Sequence, residues 1–257
     1  MSALRSALYW LFIVFWTLID APFVLLRARW GSEQSAYWAA RRWRQVVEWG
    51  VVHILGIRYE AEGLENMPDA PFVLLSKHQS AWETLFLQDF VPQNRFCVFV
   101  LKKELLTIPI VGKAFEELKM IAIDRKNARA ALDEMMNQGK NRLANGVVVV
   151  IFPEGTRVAP GQKGRYKAGG AQLAKLANVP VIPVAHNAGE LWPRNRFVKK
   201  SGIVKVKIGK PMVAGEMSTH AFNQQIEEWI ETQMADMTSK AKLSNDFADK
   251  KNNDFPR

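Results

Sequence analysis

The chain has 257 residues and a mass of 29.2 kDa, and its 35 basic and 25 acidic residues leave a formal net charge of +10. This length suits one α/β domain with a sizeable core together with appended segments. The charge indicates an acidic partner, such as nucleic acid, anionic lipid, an acidic carrier protein or a phosphorylated substrate, without choosing among them. A single cysteine, Cys97, excludes an intrachain disulfide framework and gives no support for an oxidising compartment.

The amino-terminal segment predicts attachment to a membrane. Residues 6–26 form an apolar run between Arg5 and Arg27 that is about as long as a helix that crosses a bilayer, although Asp20 and Pro22 interrupt it. Six of the nine tryptophans lie in the first fifty residues among several arginines, which is typical of a membrane interface. Because arginines flank both ends, the charges set no orientation, and a re-entrant or in-plane helix pair fits as well as a span. The run lacks a small-residue cleavage site, which argues against a signal peptide, and a buried core helix would leave the flanking arginines unexplained.

From Glu60 onward, short apolar runs alternate with helical patterns, which predicts an α/β sheet. The predicted strands lie near residues 72–75, 96–101, 120–123, 147–151, 181–184 and 203–208. The regions that follow from this pattern are an amino-terminal membrane anchor at 1–56, a catalytic domain at 57–238 and a polar, disordered tail at 239–257.

The segment Lys77-His78-Gln79-Ser80-Ala81-Trp82-Glu83 stands where a predicted strand meets a helix predicted over residues 81–90. A loop position leaves the His78 imidazole accessible, so His78 and Glu83 are candidates for a base and its orienting acid. The Ser80-x-x-Glu83 spacing is equally a capping box, in which the Glu83 carboxylate turns back toward the start of the helix. Both interpretations can hold together. Two metal ligands are not expected, because this spacing does not place both side chains on one helical face.

A second cluster follows the β-branched run at residues 146–151 and reads Phe152-Pro153-Glu154-Gly155-Thr156-Arg157. Pro153 ends the strand, Gly155 permits a tight turn, and Arg157 offers a planar set of donors suited to a phosphate or a carboxylate. An ordinary turn with an ion pair explains the hexapeptide equally well. No glycine-rich phosphate loop indicates a nucleotide cofactor, and His53, His186 and His220 have no acidic partner at an informative spacing, so none of the three is assigned a role.

Four ordered blocks over residues 60–210 resemble the glycerolipid acyltransferases, and most closely the 1-acyl-glycerol-3-phosphate acyltransferases. The blocks are His78-Gln79-Ser80-x-x-Glu83, then Lys103-Glu104-Leu105 with Pro109, Gly112 and Ile123-Asp124-Arg125, then Phe152-Pro153-Glu154-Gly155-Thr156-Arg157, and finally Val179-Pro180-Val181-Ile182-Pro183-Val184 preceded by Tyr166-Lys167-x-Gly169. Two positions depart from the family pattern. Glu83 replaces the usual aspartate with a side chain one methylene longer, and Lys77 stands where asparagine is frequent.

The resemblance implies a single mixed sheet flanked by helices, with an amino-terminal helical anchor. It also implies transfer of a fatty acyl group from acyl-CoA or acyl-acyl carrier protein to the sn-2 hydroxyl of lysophosphatidate. His78 would be the general base and Glu83 would hold its tautomer, with direct attack preferred over an acyl-Ser80 intermediate. The substrate-binding residues would be Arg125, Glu154, Gly155, Thr156, Arg157 and, more weakly, Lys103. In this scheme Arg125 and Arg157 hold the acceptor phosphate, while Glu154 holds an arginine or the loop in place.

The remaining expectations concern location and partners. We expect the protein at the inner membrane of a bacterium, with the active site on the cytoplasmic side, and we expect neither a metal nor a cofactor. Another acceptor, such as glycerol-3-phosphate or a lyso-aminolipid, stays open. A non-catalytic protein that binds membranes or nucleic acid through its basic surface is the alternative from a different class, although no nucleic-acid motif is present and nucleic acid is not an expected partner. The oligomeric state is left open.

Overall fold

A computed structural model describes the backbone of residues 1–92 and 95–253 and the side chains as far as residue 238. The helices are α1 (Ser2–Trp30), α2 (Glu33–Gly50), α3 (Trp82–Phe90), α4 (Val111–Glu117), α5 (Ala128–Ala144), α6 (Gly169–Ala177), α7 (Ala188–Leu191) and α8 (Thr219–Asn253). The strands are β1 (Ile57–Glu62), β2 (Val73–Ser76), β3 (Cys97–Lys102), β4 (Ile121–Ile123), β5 (Val148–Ile151), β6 (Val181–His186) and β7 (Gly202–Ile208).

The strands form one sheet in the order β1-β7-β6-β2-β5-β3-β4, in which β6 and β7 pair antiparallel and the other neighbours pair parallel. The predicted single mixed sheet flanked by helices is therefore confirmed. All residues of the central strands β2, β5 and β6 are buried, because helices cover both faces. Strand β1 escaped prediction: only Ile57 in it is buried, and a strand at the sheet edge needs little apolar sequence.

Alternate residues of β2 point to opposite faces of the sheet and belong to two separate hydrophobic cores. Val73 and Leu75 pack among residues of α5, α6 and α8, whereas Leu74 and the preceding Phe72 pack with Trp82 of α3 on the other face. Each such buried side chain contributes roughly 1.5–3 kcal/mol of hydrophobic stabilisation. The strand is thus held from both sides and gives a rigid base to the loop that follows it.

The carboxyl ends of the three central strands meet at one edge of the sheet. Ser76, the last residue of β2, lies opposite Val184 of β6, and Leu75 lies opposite Ile151, the last residue of β5. Because these strands are parallel, the segments that follow them emerge side by side. The first block follows β2 and the third block follows β5, so the topology brings together the two clusters that the sequence separates by about seventy residues. Strand β6 continues two residues beyond its predicted end and finishes at His186.

Helices α1 and α2 form a hairpin. The side chain of Asp20 is buried and pairs with Arg42 of α2, which accounts for an acidic residue within the apolar run. Trp43 Nε1 also donates a hydrogen bond to Thr17 Oγ1 at 3.2 Å. The hairpin therefore has a polar seam between its two helices, and α1 remains one helix through Pro22.

The amino end of α1 packs on the rest of the protein, while much of its surface is apolar and exposed. Ser6 Oγ accepts a hydrogen bond from the Lys199 backbone N–H at 2.9 Å, and Tyr9 packs edge-to-face on Trp192 with ring centroids 5.6 Å apart. Exposed large apolar side chains on α1 are Leu4, Leu8, Trp10, Leu11, Val14, Phe15, Leu18, Ile19, Leu26 and Trp30. Among the described residues, α1 is the one helix that is long and apolar enough to cross a bilayer. Such a surface is typical of membrane association.

Helix α8 continues to Asn253, past residue 239, where the sequence predicts that a disordered tail begins. Residues 254–257 lie outside the described residues. The proposed boundaries at residues 57 and 239 stay predictions.

Candidate active site

His78 and Glu83 meet directly at the carboxyl edge of the sheet. Their Nδ1 and Oε1 atoms lie 2.8 Å apart, with the Glu83 side chain fully buried and the His78 side chain 15% exposed. An ionised carboxylate can only accept, so it places the proton on Nδ1 and leaves the lone pair on Nε2. No other group in the described part of the chain bonds to Nε2. The free nitrogen is therefore the one suited to accept a proton from a substrate.

Three N–H groups converge on the same oxygen of Glu83. Besides His78, the backbone N–H groups of Gln79 and Ser80 donate to Oε1 at 3.0 and 2.8 Å. Burial by itself would raise the pKa of Glu83, but the hydrogen bonds from His78 and Ser80 and the nearby imidazoles lower it below its ordinary value. The Glu83 carboxylate thus turns back as a capping box predicts, and it remains charged beside the imidazole. Ser80 is fully buried, and its Oγ accepts the Trp82 N–H at 3.1 Å.

The backbone and ring of His78 are held by the third block and by Val158, the residue after it. Glu154 Oε2 accepts the His78 N–H at 2.9 Å, and the His78 carbonyl accepts the Val158 N–H at 2.8 Å. The imidazole stacks on Phe152 with ring centroids 4.0 Å apart. Together with the hydrogen bond to Glu83, these contacts fix the direction of the ring.

Glu154 lies beneath the turn, with its side chain fully buried. Its Oε1 accepts from Lys77 Nζ at 2.7 Å and from the Gly164 N–H at 3.1 Å. Of the two expected roles, the carboxylate holds the loop, while its ionic partner is a lysine in place of an arginine. Glu154 therefore contacts both the His78 backbone and the loop at Gly164, and its expected part in substrate binding stays a prediction.

The second block reaches the third through Arg125, whose guanidinium donates to the carbonyl of Gly155. Gly155 has φ +67°, a left-handed conformation that favours glycine. Burial lowers the pKa of Arg125, with Glu104 acting in the opposite sense. Lys103, which follows β3 at the same edge of the sheet, is exposed, and its side chain has no hydrogen bond or ion pair with the described residues.

Thr156 and Arg157 end the same turn, with Thr156 exposed and Arg157 half-buried. Arg194 Nη1 donates to Thr156 Oγ1 at 3.2 Å and to the Arg157 carbonyl at 3.1 Å. The Arg157 guanidinium itself has no partner within residues 1–92 and 95–238. Arg125, Arg157 and Arg194 therefore gather around one short turn. Sequence reasoning did not find Arg194, because no recognised block contains it.

Sequence reasoning also assigned nothing to His186, which lies directly behind Glu83. His186 is fully buried, its Nε2 lies 2.9 Å from the Lys77 carbonyl, and its Nδ1 accepts the Ala188 N–H at 3.3 Å. The same Nε2 is 3.9 Å from Glu83 Oε2. Burial lowers the pKa of His186 despite the neighbouring Glu83, so a neutral ring with its proton on Nε2 fits both contacts. The only sequence signal was its position just after the fourth block.

The chain belongs to the acyltransferase family. A sequence model described as Acyltransferase matches residues 58–187, a range that includes all four blocks. The protein is an enzyme of this class.

Similar proteins include bacterial and eukaryotic acyltransferases. The chain is 41% identical to the 1-acyl-sn-glycerol-3-phosphate acyltransferase of Pseudomonas aeruginosa over 248 residues, which cover 92% of this chain and 93% of that protein. It is 35% identical to the human 1-acyl-sn-glycerol-3-phosphate acyltransferase alpha over 135 residues, or 52% of this chain and 47% of that protein. The crystal structure of the 1-acyl-sn-glycerophosphate (LPA) acyltransferase PlsC from Thermotoga maritima matches with a TM-score of 0.74 and 26% identity, covering 93% of this chain and 98% of that one.

Proposed function

We propose that the protein transfers a fatty acyl group from a thioester to the sn-2 hydroxyl of 1-acyl-glycerol-3-phosphate, which gives phosphatidic acid. The observation that carries the proposal is the 2.8 Å contact between His78 Nδ1 and buried Glu83, beside an arginine-rich turn. The 41% identity to a relative of that name along nearly the whole chain supports the choice of acceptor.

In the proposed reaction His78 Nε2 removes the proton of the acceptor hydroxyl as its oxygen attacks the thioester carbonyl. A tetrahedral oxyanion forms, and its collapse breaks the carbon–sulfur bond. The imidazolium then returns the proton to the departing thiolate. Glu83 keeps the reactive tautomer and stabilises the imidazolium, as the buried acid does in a serine-protease triad.

Direct attack by the acceptor needs no acyl-enzyme. Ser80, the nearest hydroxyl in the first block, is buried, and its oxygen accepts the Trp82 N–H at 3.1 Å. A serine engaged in this way is poorly placed to attack a bound thioester. The proposed role of the site is therefore to orient two lipid substrates and to move one proton between them.

The acceptor phosphate is assigned to the turn at residues 155–157. Arg157 has a guanidinium with no partner among the described residues and can form paired hydrogen bonds to a phosphate. Arg125 and Arg194 hold the carbonyl groups of Gly155 and Arg157 and so shape the turn. The exposed Lys103 and Thr156 are candidates for further substrate contacts.

The outward apolar face of α1 supports a location at a membrane, and we propose the inner membrane of a bacterium with the active site on its cytoplasmic side. The thioester donor, acyl-CoA or acyl-acyl carrier protein, presents the same reacting bond. The net charge of +10 suits an acidic carrier protein and a CoA phosphate equally.

The test is an assay of detergent-purified protein with lysophosphatidate, glycerol-3-phosphate and a lyso-aminolipid as acceptors, each with both donors. We expect phosphatidic acid as the product, and no product from His78→Ala. The matched control is His220→Ala at an exposed histidine on α8. Transfer to the lyso-aminolipid alone would overturn the proposed acceptor, and full activity of His78→Ala would overturn the proposed base.

A further inference from the structure

A buried lysine directly before His78 connects three distant parts of the chain. The Lys77 side chain is 1% exposed, and its Nζ lies 2.7 Å from Glu154 Oε1, 2.8 Å from Glu231 Oε1 and 3.2 Å from the Gln162 carbonyl. An ammonium group has three N–H donors, and these three acceptors account for all of them. The lysine that departs from the family pattern is thus fully bonded inside the protein.

Stability alone is a weak explanation for this cluster. Buried ion pairs carry a large desolvation penalty, and well-packed apolar side chains of similar volume often stabilise a fold as well or better. The arrangement does have a specific geometric consequence. The Glu154 carboxylate uses Oε1 for Lys77 and Oε2 for the His78 N–H, so the lysine sets the orientation of the group that holds the His78 backbone.

Glu231 brings helix α8 into the same network. Its Oε1 accepts from both Lys77 Nζ and Tyr166 OH, the latter at 2.7 Å. Burial, followed by the charge of Glu154, raises the pKa of Tyr166, so its hydroxyl stays a donor. Glu231 lies 44 residues beyond the last residue of the matched family range, 187, and nothing in the four blocks points to it.

We propose that Lys77 and Glu231 are positioning residues for acyl transfer: together they hold Glu154, Glu154 holds the His78 backbone, and helix α8 is thereby part of the active-site support. This inference rests on the proposed role of His78 as the base. It deepens that role by assigning its alignment to a residue outside the recognised blocks.

The main variant for the test is Glu231→Leu, because it leaves the Lys77–Glu154 pair in place, whereas Lys77→Met leaves the buried Glu154 carboxylate and the partly buried Glu231 carboxylate without their cation. We expect Glu231→Leu to lower kcat by about tenfold to a hundredfold, the range that a small misalignment produces, with KM for lysophosphatidate nearly unchanged. Glu231→Gln keeps an oxygen acceptor for Lys77 and Tyr166, and we expect it to restore most of kcat.

The matched control is Glu227→Leu. Glu227 lies one turn earlier on α8 and pairs with Lys163 of the same loop at 2.7 Å, but Lys163 is 57% exposed. We expect wild-type kcat from this variant, since an exposed pair contributes little. Thermal unfolding of every variant shows that the assays compare folded proteins.

A folded Glu231→Leu protein with wild-type kcat overturns the inference and leaves the proposed function intact. A raised KM at unchanged kcat also overturns it, because that pattern reports binding. An active His78→Ala protein overturns the proposed base and this inference with it.

Discussion

At the carboxyl edge of the sheet, charged side chains such as Lys77, Glu83 and Glu154 are buried and each is bonded to several partners, whereas on α1 apolar side chains such as Leu11 and Phe15 face outward. The two regions invert the usual distribution for different physical reasons. A buried charge is tolerated only where hydrogen-bond and ionic partners are in place, so the side chains at the sheet edge have one defined arrangement. An apolar face that points outward is stable only against an apolar phase such as lipid. Contacts with lipid depend on apolar area, so one apolar side chain can replace another. Substitutions should therefore change chemistry at the edge and membrane binding on α1.

The largest effect is expected from His78→Ala. Removal of the base should lower kcat by about a thousandfold or more, with the thermal unfolding midpoint little changed, because the ring is partly exposed and packs chiefly on Phe152. Acyl transfer and thermal unfolding are measured beside His220→Ala, which should resemble the wild type. If the His78→Ala protein loses activity only because it unfolds, His78 has a structural role and is not the base.

Glu83→Gln should lower kcat by about a hundredfold to ten-thousandfold, because the amide carries no charge to stabilise the imidazolium and does not enforce the tautomer. Glu83→Asp keeps the charge and should retain activity. Steady-state kinetics of both variants with lysophosphatidate make the comparison. Complete loss in Glu83→Asp would mean that the turn, in which three N–H groups meet one oxygen, requires the longer side chain.

Arg157→Ala should raise the KM for lysophosphatidate by about tenfold to a hundredfold through loss of charge-assisted hydrogen bonds to the phosphate. A phosphate-free acceptor analogue should be used as well by the variant as by the wild type. Arg129→Ala, at an exposed arginine on α5, is the control. An equal rise in KM for both acceptors would remove Arg157 from the phosphate site.

Leu11→Ser combined with Phe15→Ser should weaken binding to lipid vesicles by about a hundredfold or more, because each side chain loses roughly 1.5–3 kcal/mol of apolar burial. The thermal unfolding midpoint in detergent should not change, since both side chains point outward. Sedimentation with vesicles measures the binding, and Val213→Ser, at an exposed apolar residue outside the hairpin, is the control. Unchanged binding would show that this face of α1 is not the membrane contact.

The smallest expected effect concerns pH and His186. Burial lowers the pKa of His186 in the folded protein, so the unfolded chain binds its proton first as the pH falls below about 6.5. Stability should therefore decrease from that pH toward the folded pKa, and His186→Gln should flatten this part of the profile while keeping an N–H for the Lys77 carbonyl. Urea unfolding between pH 7 and pH 5 tests it. An equally steep profile in His186→Gln would assign the dependence to other groups.

Local patterns were enough to predict most of the sheet and the central pair of the candidate site. The strands at β2, β5 and β6 came within one or two residues of their observed bounds, because continuous apolar runs of this length favour buried strands. His78 and Glu83 could be predicted as a pair because they are five residues apart in one turn, so local sequence alone brings their side chains close. Strand β1 could not be predicted, because its polar residues lie at an edge where only Ile57 needs burial.

By itself, the sequence determined the family, the alternation that builds the sheet, the short-range acid and base, and the apolar face of α1. Only the tertiary structure decided that Glu154 bonds to Lys77, that His186 stands behind Glu83, and that Glu231 reaches the same cluster from α8. The physical reason is that these contacts join strand ends and helices far apart in the chain. The energies of these contacts depend on burial and on distance in space, and neither can be read from the spacing of the residues along the sequence.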